Sequence, residues 1–109
     1  MADGGTWVRV ASASDLAAGE MTPVEVAGRG LALYHLEDGT WRASDALCTH
    51  ASAMLTEGWL DGCVIECPLH GGRFDLNNGA GLGAPIETDL AIYPVHLEGD
   101  DVLVELPPS

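Results

Sequence analysis

Short runs of alternating apolar and polar residues recur along the chain, and glycine, aspartate, asparagine or proline interrupts them. Alternation with a period of two residues is typical of half-buried β-strands. No long window shows the apolar period of a helix. The pattern therefore predicts an all-β fold. The predicted strands are Trp7 to Ala11, Val24 to Ala27, Leu31 to Leu36, Thr40 to Asp45, Cys63 to Glu66, Gly72 to Leu76, Ala91 to Leu97 and Val102 to Leu106.

Two tight turns are expected between these strands. Asp38 and Gly39 form an Asp-Gly pair, which is a strong hairpin signal, and the last two strands meet around Gly99. One short helical turn is predicted between Ser14 and Gly19, with Ser14 or Asp15 as its cap.

The chain of 109 residues predicts a single domain, 1–109, with one hydrophobic core. There is no internal repeat, linker or low-complexity segment. The motifs described below fall between about residues 46 and 85. We expect this segment to form a small lobe inserted into an antiparallel β-barrel or β-sandwich built by the flanking strands.

The charge of the chain is strongly negative, at −13, because seventeen acidic residues face four arginines and no lysine. Nucleic acids and anionic membranes need a cationic surface, so neither is an expected partner. A partner with a basic docking face fits better, with solubility alone as the equally weighted explanation. No apolar run approaches the length of a membrane span, and no leader pattern opens the sequence, so a cytoplasmic location is expected.

Two loops carry the candidate chemistry. The first contains Cys48 and His50 with one residue between them, and the second contains Cys67 and His70 with two between them. Each loop supplies one thiolate and one imidazole, and both spacings allow the two ligands to point to the same side. Two cysteines and two histidines are the ligand set of a Rieske [2Fe–2S] centre. A zinc-stapled interaction module is the weaker alternative, because zinc sites pair like ligands within one loop.

The other cysteine and histidines are assigned structural roles. Cys63 continues an apolar alternation and is expected to be a small buried hydrophobe. His35 and His96 are expected to be ordinary strand residues. The large aromatic residues are expected to pack in the core or the lobe, and they are Trp7, Trp41, Trp59 and Phe74.

The residues CTH at 48–50 and CPLHGGRFD at 67–75, with the later Pro85 and YPV at 93–95, resemble a Rieske ferredoxin. The resemblance is to the small ferredoxin component of bacterial aromatic-ring-hydroxylating dioxygenase systems. It implies the Rieske iron–sulfur fold and one [2Fe–2S] cluster. Cys48 and Cys67 would bind one iron, while His50 and His70 would bind the other through Nδ1 and form the port for electrons.

The same resemblance implies a monomeric electron carrier that is not itself an enzyme. Electrons would come from a flavin-dependent NAD(P)H reductase and go to a terminal Rieske non-haem iron oxygenase. The alternative is the small Rieske-like subunit of an assimilatory nitrite reductase. Many such subunits lack some of the ligands, so the intact set of four favours the oxygenase system.

Two further expectations concern the surroundings of the cluster. Gly71 and Gly72 would allow the backbone to approach a sulfide, and Pro85 would belong to a third loop that shields the cluster from water. Leu69, Ala51 and Met54 would form a small apolar contact ring for redox partners.

The reduction potential is expected at the low end of the Rieske range of roughly −150 to +300 mV. High-potential Rieske proteins have a disulfide where this chain has Ala53 and Leu69. They also have a serine and a tyrosine whose hydroxyls donate hydrogen bonds to sulfur, and this chain has Gly72 and Phe74 at those positions. Fewer hydrogen bonds to sulfur stabilise the added electron less.

Overall fold

The computed structural model describes residues 6–49, 53–69, 71–83, 86 and 88–107. Strands dominate this part of the chain, and its helices are single 3₁₀ turns at Ala13–Asp15 and Leu55–Glu57. The all-β prediction is confirmed. No helix among the described residues is long and apolar enough to cross a bilayer. The strands are β1 Thr6–Ser12, β2 Glu20–Val26, β3 Arg29–His35, β4 Trp41–Asp45, β5 Trp59–Asp61, β6 Val64–Glu66, β7 Arg73–Asp75, β8 Ile92–Tyr93, β9 Val95–Glu98 and β10 Asp101–Leu106.

The strands form three antiparallel sheets. The first has the order β1-β10-β9, the second β2-β3-β4-β8 and the third β5-β6-β7. The first two sheets combine strands from both ends of the chain. The third sheet lies wholly within residues 46–85 and is continuous in sequence, so its hairpins can form locally.

Strand β3 is buried on both faces and joins the two halves of the core. Leu31 and Leu33 pack into one buried cluster with residues of β4, β8 and β10. Ala32 and Tyr34 point to the other face and pack into a second cluster, which contains Cys48 and other residues of the 46–85 segment. Because alternate residues point to opposite faces of a strand, this continuous apolar run serves two clusters at once.

The hydroxyl of Tyr34 is satisfied inside the second cluster, where it shares a 2.9 Å hydrogen bond with Oγ of the buried Ser44. Burial raises the pKa of the Tyr34 phenol well above its ordinary value of 10.0. The hydrogen bond to Ser44 offsets the cost of burying the neutral hydroxyl.

Both expected hairpins are present, and the hairpin that joins β2 to β3 was not predicted. Gly39 and Gly99 have φ values of +91° and +60°, which glycine adopts without strain. The β2–β3 hairpin passes through Ala27 and Gly28, with φ of +53° and +77°, as in a type I′ turn. Sequence reasoning missed it because alanine is not a signal for left-handed backbone.

Three strand and turn assignments needed correction. The predicted strand from Ala91 to Leu97 is two strands, because Pro94 has no N–H for the ladder and interrupts it. Strand β5 was not predicted, since it is only three residues long. The helical turn spans Ala13–Asp15 with Ser12 as its N-cap, so it begins one residue before the predicted segment and ends at Asp15.

The aromatic assignments were partly wrong. Phe74 is fully buried as expected, but Trp59 is 60% exposed and Trp7 is 45% exposed. Trp41 is half-buried and stacks on His35, with ring centroids 4.0 Å apart.

Cys63 is only half-buried, and its Sγ accepts a 3.4 Å hydrogen bond from Nδ2 of Asn77. It packs against the cluster that contains Ile65 and Phe74, so its apolar role holds although full burial does not.

Candidate metal centre

The first loop follows β4 and is closed by backbone hydrogen bonds. Leu47 and Met54 form an isolated antiparallel bridge, and the Cys48 N–H donates to the Ala53 carbonyl at 2.9 Å. Cys48 and Ala53 therefore close the two ends of the first loop. The Cys48 side chain is buried in the same cluster as Leu55.

The second loop joins β6 to β7 in the same way. Glu66 pairs with Arg73 at the last position of the ladder, and the Cys67 N–H donates to the Gly72 carbonyl at 2.6 Å. In both loops the cysteine comes first and its N–H bonds to the carbonyl five residues later. The two loops are thus equivalent in the hydrogen bond that closes their ends, although the CxH and CxxH spacings differ.

The two loops bring the thiols of Cys48 and Cys67 into side-chain contact, within hydrogen-bonding range of each other. Neither cysteine forms a disulfide. The Leu69 N–H also donates to Cys67 Sγ at 3.4 Å. Two buried sulfurs in contact, one of them facing a backbone donor, fit two thiolates that share one metal ion.

Burial raises the pKa of the Cys67 thiol, the backbone N–H of Leu69 lowers it by a smaller amount, and the neighbouring Cys48 raises it further. A thiolate is disfavoured in this buried position without a cation. A metal ion that binds here therefore displaces protons and supplies the missing positive charge.

The remaining members of the predicted site lie outside the described residues. They are His50 and His70, with Ala51 of the expected contact ring and Pro85 of the expected third loop. The structure brings together the two predicted cysteines, and the assignment of both histidines as ligands stays a prediction. His35 is occupied elsewhere, with Nδ1 2.8 Å from the Leu16 carbonyl oxygen.

A third segment packs beside the two loops. The Thr49 hydroxyl donates to the Thr88 carbonyl at 2.7 Å, which ties the first loop to this segment. Within this segment Gly79 lies close to Leu90, because a Cβ on Gly79 would lie 2.0 Å from the Leu90 carbonyl oxygen. Its φ of +81° also favours glycine. The path of this segment therefore depends on Gly79.

Each of the three segments exposes one leucine. Leu47, Leu69 and Leu82 are between 41% and 49% exposed, whereas Met54 is half-buried. Leu69 of the predicted ring is thus exposed, Ala51 lies outside the described residues, and the exposure of Leu47 and Leu82 was not predicted; the role of these residues as a contact surface stays a prediction. A signal was present in the sequence, since none of the seventeen acidic residues falls within residues 46–56, 67–74 or 76–86. The two cysteine loops themselves therefore carry no acidic residue, although Glu66 and Asp75 flank the second one.

A polar network holds the base of the first loop. The Tyr93 hydroxyl donates to Asp45 Oδ1 at 2.5 Å and accepts from Arg29 Nη1 at 3.1 Å. The Arg29 guanidinium also lies 5.9 Å from the centre of the Tyr93 ring. Burial and the Asp45 carboxylate raise the pKa of Tyr93, so its proton is retained for this bond. The network links β3, β4 and β8 at a point three residues before Cys48.

Comparison with known proteins supports an iron–sulfur assignment of this site. Residues 6–94 match the model of the Rieske [2Fe–2S] domain. The ferredoxin component of the naphthalene 1,2-dioxygenase system of Pseudomonas putida is 44% identical over 100 residues, covering 92% of this chain and 95% of that protein.

Solved structures have the same fold. One is a chain in the complex of reduced oxygenase and oxidised ferredoxin in carbazole 1,9a-dioxygenase. It has 37% identity and a TM-score of 0.84, over 91% of this chain and 92% of that one. A Mycobacterium tuberculosis protein assigned as the small subunit of an NADH-dependent nitrite reductase has a TM-score of 0.86 at 20% identity, covering 96% and 98%. The second similarity shows the fold alone.

The matched domain carries one Rieske-type [2Fe–2S] cluster, and the two buried thiols in contact fit the cysteine half of its ligand set. The expected cofactor and fold are therefore confirmed. The chain belongs to the Rieske [2Fe–2S] domain family.

Proposed function

We propose that this chain is the ferredoxin component of an aromatic-ring-hydroxylating dioxygenase system. It accepts one electron from a flavin-dependent NAD(P)H reductase and passes it to a terminal Rieske non-haem iron oxygenase. The observation that carries the proposal is the pair of equivalent loops that place the Cys48 and Cys67 thiols in contact. Similarity to the naphthalene 1,2-dioxygenase ferredoxin over nearly the whole chain supports the same role.

Four residues are proposed as ligands, with Cys48 and Cys67 on one iron and His50 and His70 on the other. The bound cluster supplies reversible uptake of one electron. The protein residues hold it by two thiolates from equivalent loops, bury those thiolates and offer the Leu69 N–H to one sulfur. Residues 46–85 are proposed as the lobe that carries the cluster, since they contain both loops and the third sheet.

The surface suits brief encounters with two partners. The exposed leucines 47, 69 and 82 lie on segments without acidic residues, whereas the chain as a whole has a charge of −13. An apolar contact is easily stripped of water, and the surrounding negative charge attracts a basic partner over a longer distance. Monomeric state and cytoplasmic location stay predictions.

The ligand assignment is tested by four single substitutions: Cys48→Ser, His50→Ala, Cys67→Ser and His70→Ala. Each is expected to abolish the visible absorption and the electron paramagnetic resonance signal of the dithionite-reduced protein. Cys63→Ala and His96→Ala are matched controls and should keep both signals. A ligand variant with an unchanged spectrum would remove that residue from the assignment.

The carrier role is tested with the purified reductase and oxygenase components of a naphthalene 1,2-dioxygenase system. The intact protein should restore NAD(P)H-dependent oxygenase turnover, and its reduction rate should fall as salt rises because the negative charges are screened. Failure to support turnover while accepting electrons from dithionite would contradict the proposal. A rate independent of salt would exclude electrostatic attraction.

A further inference from the structure

The outer face of the third sheet carries a row of three polar or exposed residues beside the second cysteine loop. Trp59, Glu66 and Arg73 occupy directly opposite positions on β5, β6 and β7, so their side chains leave the same face. The next row is Leu60, Ile65 and Phe74, which points to the opposite face and packs in the core. The inner row therefore anchors the sheet and leaves the Trp59 row facing solvent.

Trp59 is unusual because a large aromatic residue is normally covered in a monomer. At 60%, it is the most exposed of the large hydrophobic residues that the structure describes. Exposed tryptophans are enriched at protein interfaces, where they act as binding hot spots. Its position is held by Gly58, where a Cβ would lie 1.9 Å from the Glu66 carbonyl oxygen. Trp59 is thus presented on a fixed backbone.

Glu66 provides a charge next to the indole. Opposite residues in an antiparallel pair have Cβ atoms about 4.5–5.5 Å apart. Within the described part of the chain, the Glu66 carboxylate makes no hydrogen bond and no ion pair, including none with Arg73. Its Oε2 turns toward the second loop and lies 3.5 Å from the position of a Cβ on Gly71. The carboxylate is therefore available to a cation from outside.

We propose that Trp59 and Glu66 form a binding site for one arginine or lysine side chain of the terminal oxygenase. A cation over the indole face is attracted by the ring, and the adjacent carboxylate pairs with the same charge. The proposal rests on the proposed function, which supplies the partner. The total charge of −13 favours a partner with a basic face.

The location connects this site to the electron port. A Cβ on Gly58 would be 3.1 Å from Pro68 Cδ, so the start of β5 touches the second loop two residues before His70. A partner that contacts Leu69 can therefore reach Trp59 in the same encounter. Arg73 lies on the far side of Glu66 and repels a second cation there, so the incoming side chain is directed to the Trp59 side.

The experiment measures binding of the oxidised holoprotein to the oxygenase component of a naphthalene 1,2-dioxygenase. Trp59→Ala is expected to raise the dissociation constant about 3- to 30-fold. Trp59→Phe should raise it by less, because the phenylalanine ring still attracts a cation, although more weakly than indole does. Glu66→Gln should also weaken binding and reduce its salt dependence. The double variant Trp59→Ala, Glu66→Gln should lose less than the product of the two single losses, because both side chains contact one cation.

The matched control is Trp7→Ala, which removes an exposed tryptophan from β1 in a different sheet and should leave the dissociation constant unchanged. The spectrum of the reduced cluster should be unchanged in all variants. Binding by Trp59→Ala and Glu66→Gln equal to that of the Trp7 variant would overturn the proposal. A loss of affinity in the double variant equal to the product of the two single losses would also overturn it. Should Trp59→Ala fail to retain the cluster, Trp59→Phe and Glu66→Gln decide the result.

Failure of the proposed function gives a different outcome. In that case the wild-type holoprotein itself neither binds the oxygenase nor supports its turnover, and the two proposals fall together. Normal turnover by the wild-type protein, with variants that bind as well as it does, overturns only the cation site.

Discussion

Gly58→Ala tests whether the backbone contact below the second loop positions Cys67. The added methyl would lie 1.9 Å from the Glu66 carbonyl oxygen and 3.1 Å from Pro68 Cδ, and real Cβ atoms essentially never come closer than 3.0 Å to another heavy atom. The φ of Gly58 is −93°, so the effect comes from this overlap and not from left-handed backbone. The neighbouring chain must move by more than about 1 Å in a close-packed region.

The obstacle is backbone, so rotation of a side chain cannot relieve it. Overpacking of this kind lowers the free energy of unfolding by about 1–3 kcal/mol. We expect the upper half of that range, because the Glu66 carbonyl belongs to strand β6 and moves only with the strand. In a domain of this size, a decrease of about 2–3 kcal/mol in the free energy of unfolding lowers the melting temperature by roughly 10–20 °C. The displaced residue also precedes Cys67, so cluster loss should accelerate.

The assay is thermal loss of cluster absorption, with circular dichroism to follow the fold. Gly30→Ala is the matched control, because its Cβ would meet Ala46 Cβ at 3.6 Å, an ordinary van der Waals distance. The control should melt within about 3 °C of wild type. Equal melting of the Gly58 and Gly30 variants would refute the steric argument.

Three further predictions concern the β2–β3 turn, the exposed Leu69 and the reduction potential of the cluster. Ala27→Asn should stabilise the protein by about 0.5–1 kcal/mol, because asparagine tolerates φ of +53° better than alanine. Ala27→Val should destabilise it. Chemical denaturation measures the stability of both variants, and a different ranking contradicts the type I′ assignment. Leu69→Glu should slow oxygenase turnover without altering the cluster spectrum, and steady-state kinetics showing normal turnover would remove Leu69 from the contact surface. The midpoint potential measured by protein-film voltammetry should lie at the low end of the Rieske range, and a value well above 0 mV would contradict the argument from missing sulfur donors.

Local features of the sequence were sufficient for the fold class and the type of cofactor. Alternation along each strand predicted the all-β architecture, and the glycine turns at Gly39 and Gly99 were identified from their neighbours. The mixed Cys/His loops indicated a Rieske centre because metal chemistry depends on which donor atoms are present. These properties depend on residues close together in the chain, which is why they are readable without coordinates.

Tertiary structure decided which faces are covered and which distant groups meet. Alternation shows that the two faces of a strand differ, but it does not show what packs on either face. Strand β3, for example, is buried on both faces. Trp59 was expected in the core or lobe, but it faces solvent. The contact between Cys48 and Cys67 likewise depends on two separate hairpins packing together, because chain spacing alone sets no distance between residues so far apart.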